Sequence, residues 1–300
     1  MSNSKRRFFL RYISIIQKLR TTEASYDEIS NHLKRLSKDS GEELTISQRT
    51  FQRDLNDIRD IFNIDIKTNA SNNYYISDDG DEISKSRMLE AFDYLDLLYK
   101  AKNPSKYIYH EEREASGSKN FHGILHAIYN RQPVSFRHEK YWEDTISFRT
   151  VEPLAIKESQ HRWYLIAKDR KDKKIKTFGM DRISDLKFEK EKFEYPKNFD
   201  HDKMFGDSFG VITDGEPEEI ILSFNTEQKK YLGSLKIHNT QEVLVDDSDE
   251  YRIKLKMRVT LDLVKEILSY GEDVEVIAPK SLKSKMKKRY SNALKYYSKS

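Results

Sequence analysis

Cationic and aromatic side chains are interspersed within residues 134–182, and these are the side chains best suited to hold a ligand. The guanidinium group of arginine can hold a phosphate through two parallel hydrogen bonds, and aromatic rings can stack on bases. The set comprises Arg137, His138, Tyr141, Trp142, Arg149, Arg162, Trp163, Tyr164, Phe178, Asp181 and Arg182. This combination predicts a cleft for a small nucleotide or a single strand rather than a duplex. The alternative is that the rings are core residues and the arginines are charges at its rim.

Residues 160–169 form a short, largely apolar run that is typical of a β-strand. In a strand, neighbouring side chains point to opposite faces of the sheet. Trp163 and Leu165 therefore share one face, and we expect both to pack in the core. Arg162 and Tyr164 share the other face, which offers a fixed cation and a hydroxyl group to a ligand.

The sequence contains no convincing catalytic constellation. Gly206 and Gly210 are not followed by the lysine and helix start of a phosphate-binding loop, and no serine lies in a nucleophile-elbow sequence. His122 and His126 are four residues apart on a predicted helix and could share a metal ion. No glutamate lies between them and the chain has no cysteine, so ordinary helix-surface histidines are the preferred interpretation. We predict no catalytic residue, no metal site and no cofactor.

The composition indicates a globular protein with small cores. Of the 300 residues, 37% are hydrophobic and 35% are charged, which predicts two or three domains with much solvated surface. Eighteen tyrosines and fifteen phenylalanines argue against disorder. There is no cysteine, no apolar stretch near the ~20 residues that cross a bilayer, and no apolar segment after the basic start. We therefore expect a soluble cytoplasmic protein without a membrane partner.

Basic residues are concentrated at both ends, although the net charge is only +4. Six of them precede the first acid, Glu23, and these are Lys5, Arg6, Arg7, Arg11, Lys18 and Arg20. Eight occur near the other end with no acid among them, namely Lys280, Lys283, Lys285, Lys287, Lys288, Arg289, Lys295 and Lys299. Such blocks often contact polyanions, but a solvated helix face explains the C-terminal block equally well.

Residues 1–80 have the pattern of a winged helix-turn-helix. Apolar residues recur at helical spacing in three successive segments, and Ser25 and Ser47 are the expected N-caps of the second and third helices. Two short alternating runs around the polar turn 69–73 then predict a β-hairpin. In such a fold the third helix enters the major groove. A three-helix bundle with idle surface side chains is the alternative.

The start of the third helix is polar and free of acids, which favours contact with base edges and phosphates. Asp54 and Asp57 follow and are expected to moderate its charge, so that the surface reads sequence rather than binding any DNA. The hairpin turn is expected to lie on the DNA backbone or in the minor groove, and the basic first helix also favours DNA binding. The predicted DNA contacts are Arg6, Arg7, Ser47, Gln48, Arg49, Thr50, Gln52, Arg53, Asn56 and Lys67.

The remaining chain divides into three predicted segments. Residues 81–120 form a helical linker that could bridge two subunits or simply pack. Residues 121–196 begin with a helix and continue as five short strands, the last from Leu186 to Phe193, which suggests a small bent sheet or partial barrel. Residues 203–297 interleave strands and helices as a small α+β sandwich. The fold class predicted for the whole chain is multidomain α+β.

Four motifs in residues 121–195 resemble the WYL domain, a ligand-sensing module of bacterial transcription regulators. They are Val134-Ser135-Phe136-Arg137-His138, Arg149-Thr150-Val151-Glu152-Pro153-Leu154, Arg162-Trp163-Tyr164-Leu165-Ile166-Ala167 and Phe178-Gly179-Met180-Asp181-Arg182-Ile183. The resemblance implies an Sm-like five-stranded β-barrel, preceded by a winged helix-turn-helix and followed by a C-terminal WYL extension. It also implies ligand contacts at His138, Arg149, Arg162, Tyr164 and Arg182. His138 stands where the family usually has tyrosine, and an imidazole there predicts a charge that varies near neutral pH.

The resemblance implies a homodimer that binds a double-stranded DNA operator and responds to a nucleotide or nucleic-acid ligand. One alternative is a single-stranded nucleic-acid binding module in which the N-terminal helices only join subunits. Another is an enzyme such as a nuclease, which would need clustered acids or histidines to hold a metal. Sequence preference in duplex DNA distinguishes the first hypothesis from the second.

Overall fold

The computed structural model divides the chain into two compact units, Met1–Glu111 and Glu112–Ser300. The structure describes residues 3–77, 87–92, 94 and 116–298, without the side chains of residues 3–6 and 40. In this part of the chain the fold is mixed α+β, with N-terminal helices, a central five-stranded sheet and a C-terminal sheet with helices. The predicted fold class is therefore confirmed.

Residues 3–77 of unit 1 form three helices followed by a two-stranded antiparallel hairpin. The elements are α1 (Asn3–Thr21), α2 (Tyr26–Ser40), α3 (Gln48–Phe62), β1 (Ile66–Thr68) and β2 (Tyr74–Ile76). The strands pair with Lys67 opposite Tyr75. This is the order of elements that the sequence predicts for a helix-turn-helix with a β wing.

Local capping fixes where the second and third helices begin. The Ser25 side chain accepts a hydrogen bond from the Glu28 backbone N–H, and the Glu28 carboxylate accepts one from the Ser25 backbone. The Ser47 hydroxyl caps α3 by accepting from the Thr50 backbone N–H at 3.3 Å. Gly41 ends α2 with a φ of 70°, a left-handed conformation that glycine adopts without strain. Both predicted N-caps are confirmed.

A buried ion pair joins α1 to α3. Arg11 Nη2 donates to Asp54 Oδ1 at 2.7 Å, and the two side chains are only 5% and 0% exposed. Beside this ion pair, the Tyr12 hydroxyl on α1 donates to Oδ2 of Asp57 at 2.6 Å, and Asp57 lies about one turn after Asp54 on α3. The expectation that Asp54 moderates the charge of the α3 surface is therefore wrong, because its carboxylate lies inside and is neutralised by Arg11.

Part of the predicted linker, residues 87–92, packs against α3. Residues 87–92 are helical, and the Phe92 ring, 2% exposed, lies 4.7 Å from the Phe62 ring between centroids. Most of the predicted linker, including residues 81–86 and 95–115, lies outside the described residues. A bridge between two subunits in this segment stays a prediction.

The first half of unit 2 is a helix and a five-stranded antiparallel sheet in the order β6-β5-β4-β3-β7. The elements are α4 (Phe121–Tyr129), β3 (Val134–Lys140), β4 (Thr145–Ser159), β5 (Arg162–Asp169), β6 (Ile175–Gly179) and β7 (Ile183–Phe188). The five predicted strands are present. The last strand, β7, begins before Leu186 and ends before Phe193, so it runs earlier than the predicted range. Phe193 is buried although it lies beyond the end of β7, and its burial resembles that of a strand residue.

One face of this sheet packs against α4. Leu165 is fully buried, and Trp163 packs at the edge of the same core, 4.9 Å from the Phe121 ring. Both tryptophan and leucine therefore occupy the core face that strand alternation predicts. Tyr164, between them, is directed to the other face of β5.

The second half of unit 2 is a four-stranded antiparallel sheet in the order β11-β8-β10-β9 with two main helices. The elements are α5 (His201–Phe205), β8 (Pro217–Phe224), α6 (Lys229–Ser234), β9 (Glu242–Asp246), β10 (Tyr251–Arg258), α7 (Leu261–Ser269), β11 (Val274–Ala278) and α8 (Lys280–Tyr297). Their core includes Leu255, Leu263, Ile267, Leu282 and Met286. A membrane-crossing helix is absent from the described part of the chain, where no helix combines the required length and apolarity.

Candidate ligand cleft and nucleic-acid interface

A cleft of about 460 Å³ lies in unit 2, between the five-stranded sheet and the segment that leads to the second sheet. Four of the five side chains predicted to contact a ligand line it: His138, Arg149, Tyr164 and Arg182. The sheet register explains part of this arrangement. Arg149 on β4 pairs with Phe136 on β3, and His138 is the next residue on the same face of β3 as Phe136. Two lysines, Lys140 and Lys176, join them, together with Phe178, Met204, Val211, Ile212, Thr213 and Asp214.

Asp169 orients two of the cleft cations from behind. Its carboxylate is 1% exposed and accepts from Arg149 Nη1 at 3.0 Å and from Lys176 Nζ at 2.8 Å. Burial alone would raise the pKa of Asp169, but the hydrogen bonds from Lys176 and from the Lys171 backbone hold it below its usual value. The carboxylate is therefore ionised and fixes the direction of both cations.

Asp181 holds the other two arginines of the predicted set. Arg182 Nε lies 3.8 Å from Asp181 Oδ1, and the Arg182 guanidinium lies 5.5 Å from the centre of the Tyr141 ring. Arg162 Nη1 forms an ion pair with Asp181 Oδ2. Arg162 does not line the cleft, because this ion pair directs its guanidinium to Asp181. A direct contact between Arg162 and a ligand stays a prediction.

His138 is a neutral, buried side chain in the cleft wall. It is 7% exposed, and its ring meets the Phe178 ring edge-on at 5.3 Å between centroids. Burial, together with the positive charges of Arg182 and Arg149, lowers its pKa from 6.5 to about 4. The expectation that its charge varies near neutral pH is therefore wrong. Its Nε2 atom is buried and has no hydrogen-bond partner within the described ranges, so a ligand could bond to it.

We expect acid to destabilise unit 2 through His138. The unfolded imidazole has a pKa of about 6.5 and takes up a proton before the folded one, so stability is lost as the pH falls through this window. Between pH 7 and pH 4.5 the wild-type chain should lose about 2 kcal/mol more unfolding free energy than His138→Phe. Urea unfolding followed by tryptophan fluorescence measures this, since both tryptophans, Trp142 and Trp163, lie in unit 2. Equal losses in the two chains would contradict the buried neutral imidazole.

Lys140, Lys176 and the lining residues of segment 204–214 are not among the ligand contacts predicted from the sequence. Lys140 is two residues after His138, and Lys176 is two residues before Phe178, so strand alternation gives each the same face as its neighbour. That signal was present in the sequence. Residues 204–214 carry no comparable signal, because their approach to the sheet depends on long-range packing alone.

The exposed face of α3 is the candidate nucleic-acid interface in unit 1. Arg49, Gln52, Arg53 and Asn56 recur at helical spacing and are exposed, and Gln48 is exposed beside them. No ion pair or hydrogen bond holds the side chains of Arg49 and Arg53 among the residues that the structure describes. The buried side of the same helix carries Phe51, Asp54, Leu55 and Ile58.

The other predicted DNA contacts surround this helix face. Ser47 is exposed but its hydroxyl caps α3, and Thr50 is half-buried. Gln52 Nε2 donates to the Tyr74 hydroxyl at 2.9 Å, which ties the helix to β2 of the wing. Lys67 is exposed on β1, 3.9 Å from Asp65, and Arg7 is half-buried on α1. The side chain of Arg6 lies outside the described residues.

The histidine pair on α4 does not come together with further metal ligands. His122 and His126 are both exposed, and the His126 ring lies 3.2 Å from the Asn130 side chain. Across the described ranges, one trio offers three potential ligand atoms within 4.8 Å of one another, namely Asp200, His201 and Asp202. His201 and Asp202 are exposed, and such acidic surface groups are common without an ion.

Comparison with known families agrees with this architecture. The WYL domain family matches residues 119–188, and the WCX domain family matches residues 216–294. The chain contains a WYL domain followed by a WCX domain. The resemblance seen in the four sequence motifs is thereby confirmed, and the WCX match covers the second sheet and its helices. No curated protein matches the chain.

Solved structures similar to this WYL-domain protein include the following two. One is the proteasome accessory factor B/C (PafBC) of Arthrobacter aurescens, with 18% identity over 93% of this chain and a TM-score of 0.35. The chain spans 46% of the length of PafBC. The other is described as a CRISPR Cas-related protein, with 12% identity over 97% of this chain and 85% of the other, and a TM-score of 0.41.

Proposed function

We propose that this WYL-domain protein is a DNA-binding transcription regulator whose operator binding responds to an anionic ligand in the cleft of unit 2. The observation that carries the proposal is the convergence of four cations on one hollow next to the WYL motif residues, in a chain that begins with a helix-turn-helix. The ligand class that fits is a nucleotide or a short nucleic acid. No catalytic step is part of the proposal.

The unit 1 geometry supports the DNA-binding half of the proposal. α3 exposes arginine and amide side chains over its first turns, while its opposite side is buried. Arg49 and Arg53 are four residues apart, so they lie on one face and can each reach a guanine edge or a phosphate. The first turn of α3, which Ser47 caps, contains no acidic residue.

The cleft supports the ligand-responsive half. Arg149, Arg182, Lys140 and Lys176 line it, and among the described residues Asp214 is the one carboxylate in its wall. A volume of about 460 Å³ is within the range of small-molecule sites. The wall also includes Met204 and residues 211–214, which lie between the WYL and WCX domains in the sequence. A ligand in the cleft would therefore contact both the WYL sheet and this connecting segment. A ligand in the cleft can change the affinity for DNA only if it binds the DNA-competent and the DNA-incompetent conformations of the protein with different affinity.

A homodimer acting in the bacterial cytoplasm completes this proposal. Helix-turn-helix proteins commonly bind two half-sites through a two-fold dimer, so that operator symmetry mirrors protein symmetry. Size-exclusion chromatography with light scattering measures the subunit number directly. Selection of genomic fragments by the purified protein, followed by sequencing, would show whether the bound sites are palindromic.

We expect Arg49→Ala and Arg53→Ala each to weaken binding to a selected operator by about 10- to 100-fold, the size of one lost arginine contact to a base. Fluorescence anisotropy with a labelled duplex measures this. Arg59→Ala is the matched control, since Arg59 is an exposed arginine at the end of the same helix that pairs with Asp65. Equal affinity of all three variants and the wild type would remove α3 from the DNA interface.

A single-stranded nucleic-acid binding module is the second candidate function. The observation that favours it is the exposure of aromatic rings on the β3–β4 hairpin, where Trp142 is 97%, Phe148 80% and Tyr141 58% exposed. Rings of this kind can stack on bases without reading sequence. A preference for one duplex sequence over a scrambled duplex distinguishes the regulator from this module.

A further inference from the structure

A groove of about 440 Å³ separates α7 from α8 in the WCX domain. One wall is formed by Val259 and Thr260, which precede α7, and by Leu261 and Val264 in its first turn. The other wall belongs to α8 and carries Lys285, Lys288, Arg289 and Asn292. The groove is therefore apolar on one side and cationic on the other, and the operator and cleft proposals do not use it.

The positive charge of the groove has no local counterpart. Among the residues that the structure describes, no acid lines the groove, and α8 contains no aspartate or glutamate along its length. The nearest carboxylate in sequence, Asp262 on α7, accepts instead from the backbone N–H groups of Val211 and Ile212 at 3.0 and 3.3 Å. Three cations thus face one hollow without an anion to neutralise them.

These three cations differ from a neighbour on the same helix that is already paired. Lys283 Nζ lies 2.7 Å from Glu275 Oε1, an exposed pair outside the groove. Lys285, Lys288 and Arg289 form no ion pair or hydrogen bond with any residue in the described part of the chain. Their charges are available to a partner.

The spacing of the groove side chains matches an extended polyanion. Lys285, Lys288, Arg289 and Asn292 follow one face of α8, and Tyr296, 79% exposed, continues it one turn later. From Lys285 to Tyr296 the helix rises ~16 Å, which is the length of several nucleotides in a strand. A row of cations that ends in an exposed phenol suits phosphates followed by a base.

We propose that this groove binds the phosphodiester backbone of a nucleic acid without regard to sequence. Lysine and arginine donate to phosphate oxygens, and Asn292 adds a neutral donor to the same row. The contact is separate from the reading of an operator by α3 and from the WYL cleft. It adds a second, sequence-independent attachment of the protein to a single strand or a duplex.

The test uses the full chain carrying Arg49→Ala and Arg53→Ala, so that α3 contributes little. The groove variant adds Lys285→Gln, Lys288→Gln and Arg289→Gln, and the control variant instead adds Lys280→Gln, Lys283→Gln and Lys287→Gln. Both remove three charges from α8, but only the first set lines the groove. The probes are a labelled 20-nucleotide single strand and a labelled duplex of random sequence, measured by anisotropy at several salt concentrations.

We expect the groove variant to bind at least ten-fold more weakly than the control variant. Its plot of log affinity against log salt should be less steep by about 2 for a single strand or about 3 for a duplex, as three lost phosphate contacts require. A loss confined to one probe identifies the natural form as single or double strand. Equal binding by the two variants, or competition by poly-glutamate as strong as by nucleic acid, would overturn the proposal. Thermal melting checks that both variants are folded.

Discussion

Asp54→Ala is expected to lower the free energy of unfolding of unit 1 by about 3–5 kcal/mol, because it leaves the Arg11 guanidinium buried without a counter-charge. Asp54 is fully buried and receives two hydrogen bonds from Arg11, which is itself 5% exposed. Urea unfolding followed by the helical circular dichroism signal measures the change. Tryptophan fluorescence serves as an internal reference, since both tryptophans belong to unit 2 and should report an unchanged transition.

The matched control is Asp60→Ala, which removes an exposed carboxylate from the same helix. We expect it to change stability by less than about 1 kcal/mol. The double replacement Arg11→Met with Asp54→Leu removes both charges and fills the space with apolar atoms, so it should recover much of the loss. A small effect of Asp54→Ala alone would mean that the ion pair does not hold α1 against α3.

Local sequence signals predicted unit 1 well. Ser25 and Ser47 cap α2 and α3 through hydrogen bonds to residues three positions away, and the sequence contains both partners. The pairing of Arg11 with Asp54 spans 43 residues, so no spacing rule could reveal it. The sequence alone predicts an exposed side chain for Asp54, because α3 is rich in polar residues. Only the tertiary packing shows that Asp54 is buried.

The limits of strand prediction follow from burial. β9 was not predicted, because most of its side chains are exposed and it therefore lacks the alternation of buried and exposed residues that marks a strand. β7 was placed too late, because Phe193 is buried beyond the strand and extended the apparent apolar pattern. The periodicity of hydrophobic residues indicates which residues are buried. Strand prediction from this periodicity therefore fails where a paired strand is exposed or where a buried residue lies outside a strand.

The ligand-contact residues also divide into those that the sequence could predict and those whose role depends on tertiary packing. The resemblance to the WYL family supplied His138, Arg149, Tyr164 and Arg182, which the structure brings to one cleft. It could not supply the ion pair that draws Arg162 to Asp181, since that depends on the turn after β6. The low pKa of His138 also depends on surroundings, because burial and two nearby arginines set it.

Replacing the two cleft arginines together, Arg149→Gln with Arg182→Gln, is expected to weaken binding of an anionic ligand by about 10²- to 10⁴-fold. Each charge-assisted hydrogen bond contributes about 1.5–3 kcal/mol, and both side chains are oriented by carboxylates before a ligand arrives. The probes are a nucleoside 5′-triphosphate and a labelled six-nucleotide single strand, studied by calorimetry and anisotropy. Basal operator binding should remain, because α3 is unchanged.

The control for this pair is Arg137→Gln with Arg170→Gln, which removes two arginines of the same sheet that lie outside the cleft. Arg137 pairs with Asp185, and Arg170 pairs with Glu152 and Glu191, so neither is directed at a ligand. If the control loses affinity as strongly as the cleft pair, general charge rather than the cleft attracts the probe. If only the cleft pair loses it, while operator binding persists but no longer responds to the ligand, the two sites are separate and coupled. Sensing then resides in the positions of two guanidinium groups, one hydrogen-bonded to the buried Asp169 and the other paired with Asp181.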